Sequence, residues 1–167
     1  MIRVCFHGAE STGKSVLAAK LATELDVPWV SEYGREYCET RGTDLTMADL
    51  LAIAAGQDAA MHAACAGAPR LVLLDTDPLM TAAWAEMLFG EVPGELLGYD
   101  KAERYLLFGP DVPWKADGTR FFGTPAQRAR FAKIAEAMLV RADVPYECIA
   151  GDWDERERAV RATLASV

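Results

Sequence analysis

The chain has few positive charges and no cluster of them. Its 167 residues include 17 Lys and Arg against 25 Asp and Glu, which gives a formal net charge of -8 at pH 7. Proteins that bind nucleic acids neutralise phosphates with clustered Lys and Arg, so this composition argues against a nucleic-acid partner. It suits instead a small phosphorylated ligand held in a local basic pocket.

Long apolar runs and closely spaced cysteine pairs are also missing. No stretch approaches the roughly 20 apolar residues that span a bilayer, and the N-terminus shows no signal segment. The four cysteines are Cys5, Cys38, Cys65 and Cys148, and none forms a CxxC pair. We expect Cys5 and Cys148 to be buried free thiols in strand-like runs. The features together predict a cytoplasmic protein without a membrane partner, and they leave its oligomeric state open.

Short apolar runs alternate along the chain with longer segments of helical periodicity. Strands are predicted at residues 2–7, 28–31, 71–74, 104–108 and 146–149, and helices at about 14–25, 46–66, 78–89, 125–142 and 154–164. This alternation is typical of a parallel sheet covered by helices. The predicted fold class is therefore α/β, with three layers and five parallel strands. Because no repeat or linker interrupts the pattern, we expect residues 1–167 to form a single domain.

A glycine-rich segment follows the first predicted strand and precedes the first helix. Its sequence from Gly8 to Ser15, GAESTGKS, matches GxxxxGK[ST] in full, the pattern of a P-loop. Glycines let the backbone curl around phosphates so that N–H groups point at the anion. Lys14 is expected to contact the β- and γ-phosphates and the Ser15 hydroxyl to ligate Mg²⁺. The segment predicts binding of ATP and Mg²⁺ through Gly8, Glu10, Ser11, Thr12, Gly13, Lys14, Ser15 and Val16.

Other P-loop proteins fit the sequence less well. It contains no NKxD-type guanine signature, and its length leaves no room for the accessory domains of most ring ATPases. A small-molecule phosphotransferase is therefore the favoured class.

Acidic residues follow two of the predicted strands. Asp75 ends the Leu-rich third strand, as a Walker B acid does, and is expected to hold Mg²⁺ directly or through water. Asp77 either faces a substrate or caps the next helix. Glu32, with Arg35 to balance its charge, is a candidate to accept the proton of an attacking hydroxyl, to bind a ribose, or to join a surface salt-bridge cluster. Spacing alone leaves open which of these three acids is the base.

Arginines accompany a segment rich in glycine and proline before the fourth long helix. Arg120 lies in the run Asp117-Gly118-Thr119-Arg120, and Arg128 and Arg130 follow on the helix. Phosphoryl transfer needs positive charge around the transferring group and exclusion of water, so residues at about 111–128 are predicted to form a short lid. Two residues two apart on a helix cannot face the same way. We therefore expect Arg120 and one of the two helix arginines to serve the lid, and the other helix arginine to lie in solvent.

Four motifs occur in order: GAESTGKS, EYGRE at Glu32–Glu36, LDTD at Leu74–Asp77, and the segment from Trp114 through Asp117 to Arg120. Together they resemble the ribosylnicotinamide kinase domain of the NadR type, a family of small P-loop ATPases and kinases. The resemblance covers nearly the whole chain. It implies transfer of the γ-phosphate of ATP to the 5′-hydroxyl of nicotinamide riboside, which gives nicotinamide mononucleotide.

The resemblance also implies roles for individual residues. The catalytic set is Lys14, Glu32, Asp75, Arg120 and Arg128; the metal ligands are Ser15 and Asp75; and the nucleoside contacts come from Glu32, Tyr33, Arg35, Asp77, Trp84 and Trp114. Family members often add a nucleotidyltransferase domain with an HxGH-like signature. The sequence has no such segment, so adenylylation is not expected from this chain.

Some relatives place an aromatic residue directly before the first glutamate of EYGRE, where this sequence has Ser31. Aromatic faces hold a cationic pyridinium ring well, and Trp29, Tyr33, Trp84 and Trp114 are the candidates to do so. Two further readings stay open: a kinase for another nucleoside or small metabolite, and a regulatory ATP-binding module that phosphorylates no small molecule. The lid arginines and the acids at the strand ends favour transfer.

Overall fold

The predicted strands and long helices occur along the chain in the order that the sequence predicts. The computed structural model describes residues 1–116 and 118–167, so Asp117 of the predicted lid lies outside the described residues. The strands are β1 Ile2–Gly8, β2 Trp29–Val30, β3 Leu71–Asp75, β4 Arg104–Phe108 and β5 Tyr146–Ile149. The helices are α1 Lys14–Leu25, α2 Tyr33–Arg41, α3 Met47–Cys65, α4 Pro78–Phe89, α5 Gly94–Gly98, α6 Pro125–Arg141 and α7 Trp153–Ala165.

The five strands form one parallel sheet in the order β2-β3-β1-β4-β5. In the middle strand β1, Cys5 lies opposite Leu74 of β3 on one side and Tyr105 of β4 on the other. After β1, the chain first forms β2 and β3 on one side of it and then β4 and β5 on the other side. In such sheets ligands bind beyond the carboxyl ends of the strands, where the strand order reverses. The segment after β1 occupies that position.

Helices cover both faces of the sheet and bury a separate apolar cluster on each. Alternate side chains of β1 point to opposite faces, so Cys5 joins the cluster under α3, α4 and α6, whereas Val4 and Phe6 join the cluster under α1 and α7. All three of these side chains are fully buried. The three-layer α/β class with five parallel strands is confirmed.

Local sequence signals set several helix starts. Thr46 and Asp49 form a capping box at α3, as their spacing predicts, with each side chain bonded to the other's backbone N–H. Pro78 occupies the first turn of α4, where its missing N–H is harmless. Two helices were not predicted, α2 and the short α5. Among the described residues, no helix is long and apolar enough to cross a membrane.

One prediction about the cysteines is wrong. Cys5 is fully buried at the centre of the sheet, as expected, but Cys148 is exposed. Cys148 belongs to β5, which forms one edge of the sheet, and the middle of this strand is open to solvent. In this edge strand, the thiol of Cys148 is therefore exposed to solvent although the run was expected to be buried.

Candidate active site

The predicted P-loop connects β1 to α1 in a tight turn that requires its glycines. Gly8 and Gly13 have φ angles of 126° and 86°, in the region that favours glycine. A Cβ at position 8 would lie 2.6 Å from the carbonyl oxygen of Phe108, and one at position 13 would lie 2.5 Å from the ring of Trp153. Both positions are thus closed to any larger residue.

Lys14 folds its ammonium group back into this turn. Its Nζ donates to the carbonyl oxygen of Ala9 at 2.7 Å and lies 3.4 Å from the hydroxyl of Thr12. Burial lowers the pKa of Lys14, and the nearby carboxylates of Asp75 and Glu32 raise it. A lysine poised inside a loop of N–H donors matches the phosphate cradle that the sequence predicts.

Asp75 and Ser15 meet at the end of β3. Asp75 is 2% exposed, and its Oδ1 has no hydrogen-bond partner among the described residues. Burial raises the pKa of Asp75, whereas Lys14 and a hydrogen bond with the Ser15 side chain lower it. A carboxylate oxygen without a partner beside a hydroxyl is a hard oxygen donor set of the kind that Mg²⁺ prefers. The residues present therefore fit a Mg²⁺ ion.

Glu32 stands at the N-terminus of α2 without using its carboxylate as a cap. The side chain is 28% exposed, and its Oε2 lies 3.9 Å from a guanidinium nitrogen of Arg35. Burial and the Asp75 carboxylate raise the pKa of Glu32 to about 7, although Lys14 and Arg35 act in the opposite direction. Glu32 is therefore a carboxyl group next to the P-loop whose pKa lies near neutral pH.

One cavity of about 270 Å³ joins the P-loop to an apolar chamber. Apolar side chains of α3, α4 and α6 form the chamber, among them Ile53, Met80 and Phe131. Trp84 of α4 lines it as well, and its ring centroid lies 5.2 Å from that of Phe121 and 4.7 Å from that of Phe131. Such a site combines phosphate-binding groups at one end with aromatic surface at the other.

Gln57 of α3 is a polar member of the cavity wall that sequence reasoning missed. It is 2% exposed, accepts from the N–H of Tyr33 at 2.7 Å, and donates to the carbonyl oxygens of Ser31 and Thr76. It therefore ties the end of β2 to the end of β3 beside the cavity. The sequence does contain one indication of this residue, because Gln57 lies four residues from Ile53 on a helix face that is otherwise apolar. Cys38, Thr81 and the pair Phe121–Phe122 were missed as well.

The cavity brings together most of the predicted site residues. Those lining it are Gly8, Glu10, Ser11, Thr12, Gly13, Lys14, Ser15, Val16, Glu32, Arg35, Trp84 and Arg120. Asp75 lies beside the lining, at the position described above. The predicted loop arginine Arg120 approaches the P-loop, with Nη1 3.4 Å from Oγ of Ser11.

Besides Asp75, four predicted residues do not line the cavity. Asp77 is 1% exposed, and its oxygens accept from the N–H of Leu79 and the hydroxyl of Tyr105, which is the helix-cap alternative. Arg128 donates to the carbonyl oxygen of Val112 at 2.9 Å and so anchors the loop to α6. The ring of Tyr33 lies against Gly56, and that of Trp114 lies against Gly123.

Comparison with known proteins places the chain in a family. A family model described as an AAA domain matches residues 3–156. The chain belongs to this AAA domain family. Among individual proteins, the trifunctional NAD biosynthesis/regulator protein NadR of Escherichia coli (strain K12) is 30% identical to this chain over 161 residues. The match covers 92% of this chain and 39% of NadR, so this AAA domain spans about two fifths of the curated relatives it matches.

Solved structures show the same fold. A crystal structure of NadR protein in complex with NR superposes with a TM-score of 0.77 at 22% identity, covering 98% of this chain and 49% of that one. A deoxyadenosine kinase from M. mycoides gives a TM-score of 0.70 at 12% identity, covering 99% of this chain and all of that one. The resemblance to the NadR type is confirmed, and the AAA domain has the fold of P-loop small-molecule kinases.

Proposed function

We propose that the chain transfers the γ-phosphate of ATP to the 5′-hydroxyl of nicotinamide riboside, giving nicotinamide mononucleotide and ADP. The observation that carries the proposal is the single cavity that joins the P-loop, Glu32 and the aromatic chamber at Trp84. Two relatives support the acceptor, because one is named for NAD biosynthesis and the other was crystallised with NR, the abbreviation of nicotinamide riboside.

The phosphate end of the cavity would hold the triphosphate. Lys14 and the N–H groups of the P-loop would bind its oxygens, and Arg120 would approach from the loop opposite Ser11. Ser15 and Asp75 would hold Mg²⁺, which neutralises charge on the β- and γ-phosphate oxygens when bound. Because these groups are fixed before the reaction, they stabilise charge in the transition state without reorganisation.

Glu32 is the group best placed to take the proton. The 5′-oxygen of the acceptor forms a bond to the γ-phosphorus while the bond between that phosphorus and the bridging oxygen of ADP breaks. The hydroxyl proton passes to the carboxylate of Glu32, whose raised pKa suits a general base near neutral pH. Asp75 is more deeply buried and hydrogen bonded to Ser15, which favours the metal role for it.

The aromatic chamber would hold the pyridinium ring. Trp84 lines the cavity with Phe121 and Phe131 beside it, and a cation over the face of an indole is attracted by the ring electrons. These side chains offer the aromatic surface that Ser31 cannot. A flat, singly charged ring on a ribose matches a chamber that is apolar at its far end and acidic near Glu32.

A substrate panel tests the proposal. Purified protein with MgATP is incubated with nicotinamide riboside, adenosine, deoxyadenosine, thymidine and cytidine, and the phosphorylated products are identified by mass spectrometry. We expect nicotinamide mononucleotide in stoichiometric amount with ADP. Phosphorylation of another nucleoside alone would replace the acceptor and keep the kinase. Tight ATP binding without any product would favour the regulatory module and overturn the proposal.

A further inference from the structure

Glu10 lies in the P-loop, yet its carboxylate is hydrogen bonded to backbone N–H groups outside that loop. One oxygen accepts from the N–H of Phe121 and the other from the N–H groups of Phe121 and Phe122, at 3.0 to 3.1 Å. A negative charge in a phosphate-binding loop repels the ligand through space. Its presence there therefore calls for a use other than binding the triphosphate.

Of the two residues that Glu10 holds, Phe121 lines the cavity and Phe122 packs against Trp84, which also lines it. The side chains of Phe121 and Phe122 contact Trp84, with ring centroids 5.2 and 5.3 Å away, and Phe122 also contacts Phe131 at 5.1 Å. Phe122 is 8% exposed. Its backbone N–H lies in an irregular segment and, within residues 1–116 and 118–167, donates to Glu10 alone. A buried N–H without a partner is unfavourable.

The next residue of the P-loop makes a second connection to the same segment. The hydroxyl of Ser11 accepts from the N–H of Lys115 at 2.8 Å and from Arg120 at 3.4 Å. Ser11 has a φ angle of 56°, a backbone conformation uncommon for residues other than glycine. Two consecutive P-loop residues thus contact Lys115, Arg120, Phe121 and Phe122.

We propose that Glu10 is a positioning residue that couples the two substrate sites, so that a nucleotide in the P-loop fixes Phe121 and Phe122 and completes the acceptor chamber. The part of this inference that concerns the nucleoside acceptor rests on the proposed function. The connection between the P-loop and Phe121 and Phe122 does not depend on it. Coupling between two ligands is reciprocal. A nucleoside in the chamber should therefore tighten nucleotide binding by the same factor as the nucleotide tightens nucleoside binding.

Hydrogen exchange of the segment tests the link without any acceptor. In the wild type, we expect a nonhydrolysable ATP analogue with Mg²⁺ to slow exchange in peptides covering Phe121 and Phe122 by at least about tenfold. Glu10→Gln has one acceptor oxygen instead of two and no charge, and Glu10→Asp keeps the charge on a shorter side chain. Both should lose most of this slowing. Glu91→Gln, an exposed glutamate in the loop after α4, is the control and should behave as the wild type.

Calorimetry separates the coupling role from direct nucleotide binding. The affinity for nicotinamide riboside is measured with and without the analogue, and the ratio should fall from about tenfold in the wild type toward one in both Glu10 variants. The affinity for the analogue alone is measured for every variant, so that any effect on direct nucleotide binding is determined separately. Equal slowing of exchange in wild type and variants, or a loss of nucleotide affinity as large as the loss of nucleoside affinity, would overturn the proposal.

The outcomes distinguish this inference from the proposed function. If nicotinamide riboside binds neither the wild type nor the variants, the acceptor assignment fails, while the exchange measurement still decides the link. Melting temperatures of the two variants within a few degrees of the wild type show that both remain folded. Rapid exchange in unfolded variants would extend over all helices, whereas loss of the link is confined to peptides that cover Phe121 and Phe122.

Discussion

The carboxylate of Glu32 interacts electrostatically with a lysine, Lys14, and with a second acid, Asp75. Asp75 and burial make its ionisation harder, and Lys14 makes it easier, with a resulting pKa of about 7. A general base is most effective when its pKa lies near the working pH. At the ordinary pKa of a glutamate, the same side chain would be ionised but a weaker acceptor for a hydroxyl proton.

Glu32→Gln removes the proton acceptor and keeps the size of the side chain. We expect kcat to fall by about 10²- to 10⁴-fold, the contribution typical of a general base, while the affinity for a nonhydrolysable ATP analogue changes little. Steady-state kinetics and calorimetry measure the two quantities. Glu39→Gln, exposed on the same helix α2, is the matched control and should keep the wild-type rate. An unchanged kcat in Glu32→Gln would exclude this residue as the base.

The pH dependence of transfer should follow the ionisation of Glu32. Because its pKa is raised to about 7, the carboxylate is protonated below that pH and cannot accept a proton. The logarithm of kcat/KM should therefore rise with a slope of about one below pH 7 and level off above it. Rates measured from pH 5.5 to 9 at saturating Mg²⁺ test this. The residual activity of Glu32→Gln should lack the inflection. An inflection that persists in this variant would belong to the ionisation of another group.

At the residue scale, the sequence predicted the groups that belong to strict patterns. The P-loop and Asp75 follow from spacing and from position at a strand end, because this chemistry tolerates few alternatives. Gln57 was missed because its partners, the backbone of Ser31 and Thr76, come from other parts of the chain. Side-chain direction was also beyond the sequence. Tyr33 belongs to a conspicuous motif, yet its ring turns toward Gly56.

Among the elements, α1 and β4 begin and end where the sequence predicts. A glycine-rich turn before α1 and continuous apolar residues in β4 leave little choice of boundary. The helix α2 was missed because its nine residues are mostly polar and only Cys38 is buried, so no apolar periodicity indicates it. Its existence depends on tertiary packing against α3, which a local pattern cannot report.

Gly56 tests that packing between α2 and α3. Alanine favours a helix over glycine by about 1 kcal/mol, but a Cβ at position 56 would lie 2.3 Å from the ring of Tyr33. Overpacking of this kind costs about 1–3 kcal/mol, so the clash outweighs the propensity. We expect Gly56→Ala to lower the free energy of unfolding in urea. Gly98→Ala in α5 has no atom within 4 Å of the new methyl group and should be neutral or slightly stabilising.

For the whole molecule, the sequence predicted the layers and the parallel sheet but not the strand order. Five short apolar runs have similar patterns, and their arrangement depends on which helices fit on which face. The structure puts β1 at the centre, with β3 and β4 as its neighbours. This arrangement sets the P-loop above the middle of the sheet and brings Asp75 of β3 next to it. The site is therefore a consequence of an order that local sequence does not contain.

Because β1 and β3 contribute to both apolar clusters, we propose that the chain unfolds as one unit. Leu73 and Leu74 are neighbours in β3 and fully buried, but Leu73 belongs to the cluster under α1 and α7 and Leu74 to the one under α3, α4 and α6. Leu73→Ala and Leu74→Ala should each lower the free energy of unfolding by about 2–5 kcal/mol.

Both variants should show a single transition in urea that is the same by circular dichroism and by tryptophan fluorescence. Val140→Ala, on the exposed side of α6 at 63% exposure, is the control and should change the free energy by less than about 0.5 kcal/mol. Separate transitions for the two faces of the sheet, or destabilisation of one face alone, would contradict a single folding unit. Because β1 and β3 contribute side chains to both apolar clusters, disrupting the cluster on one face of the sheet also disturbs the strand pairing on which the other cluster depends.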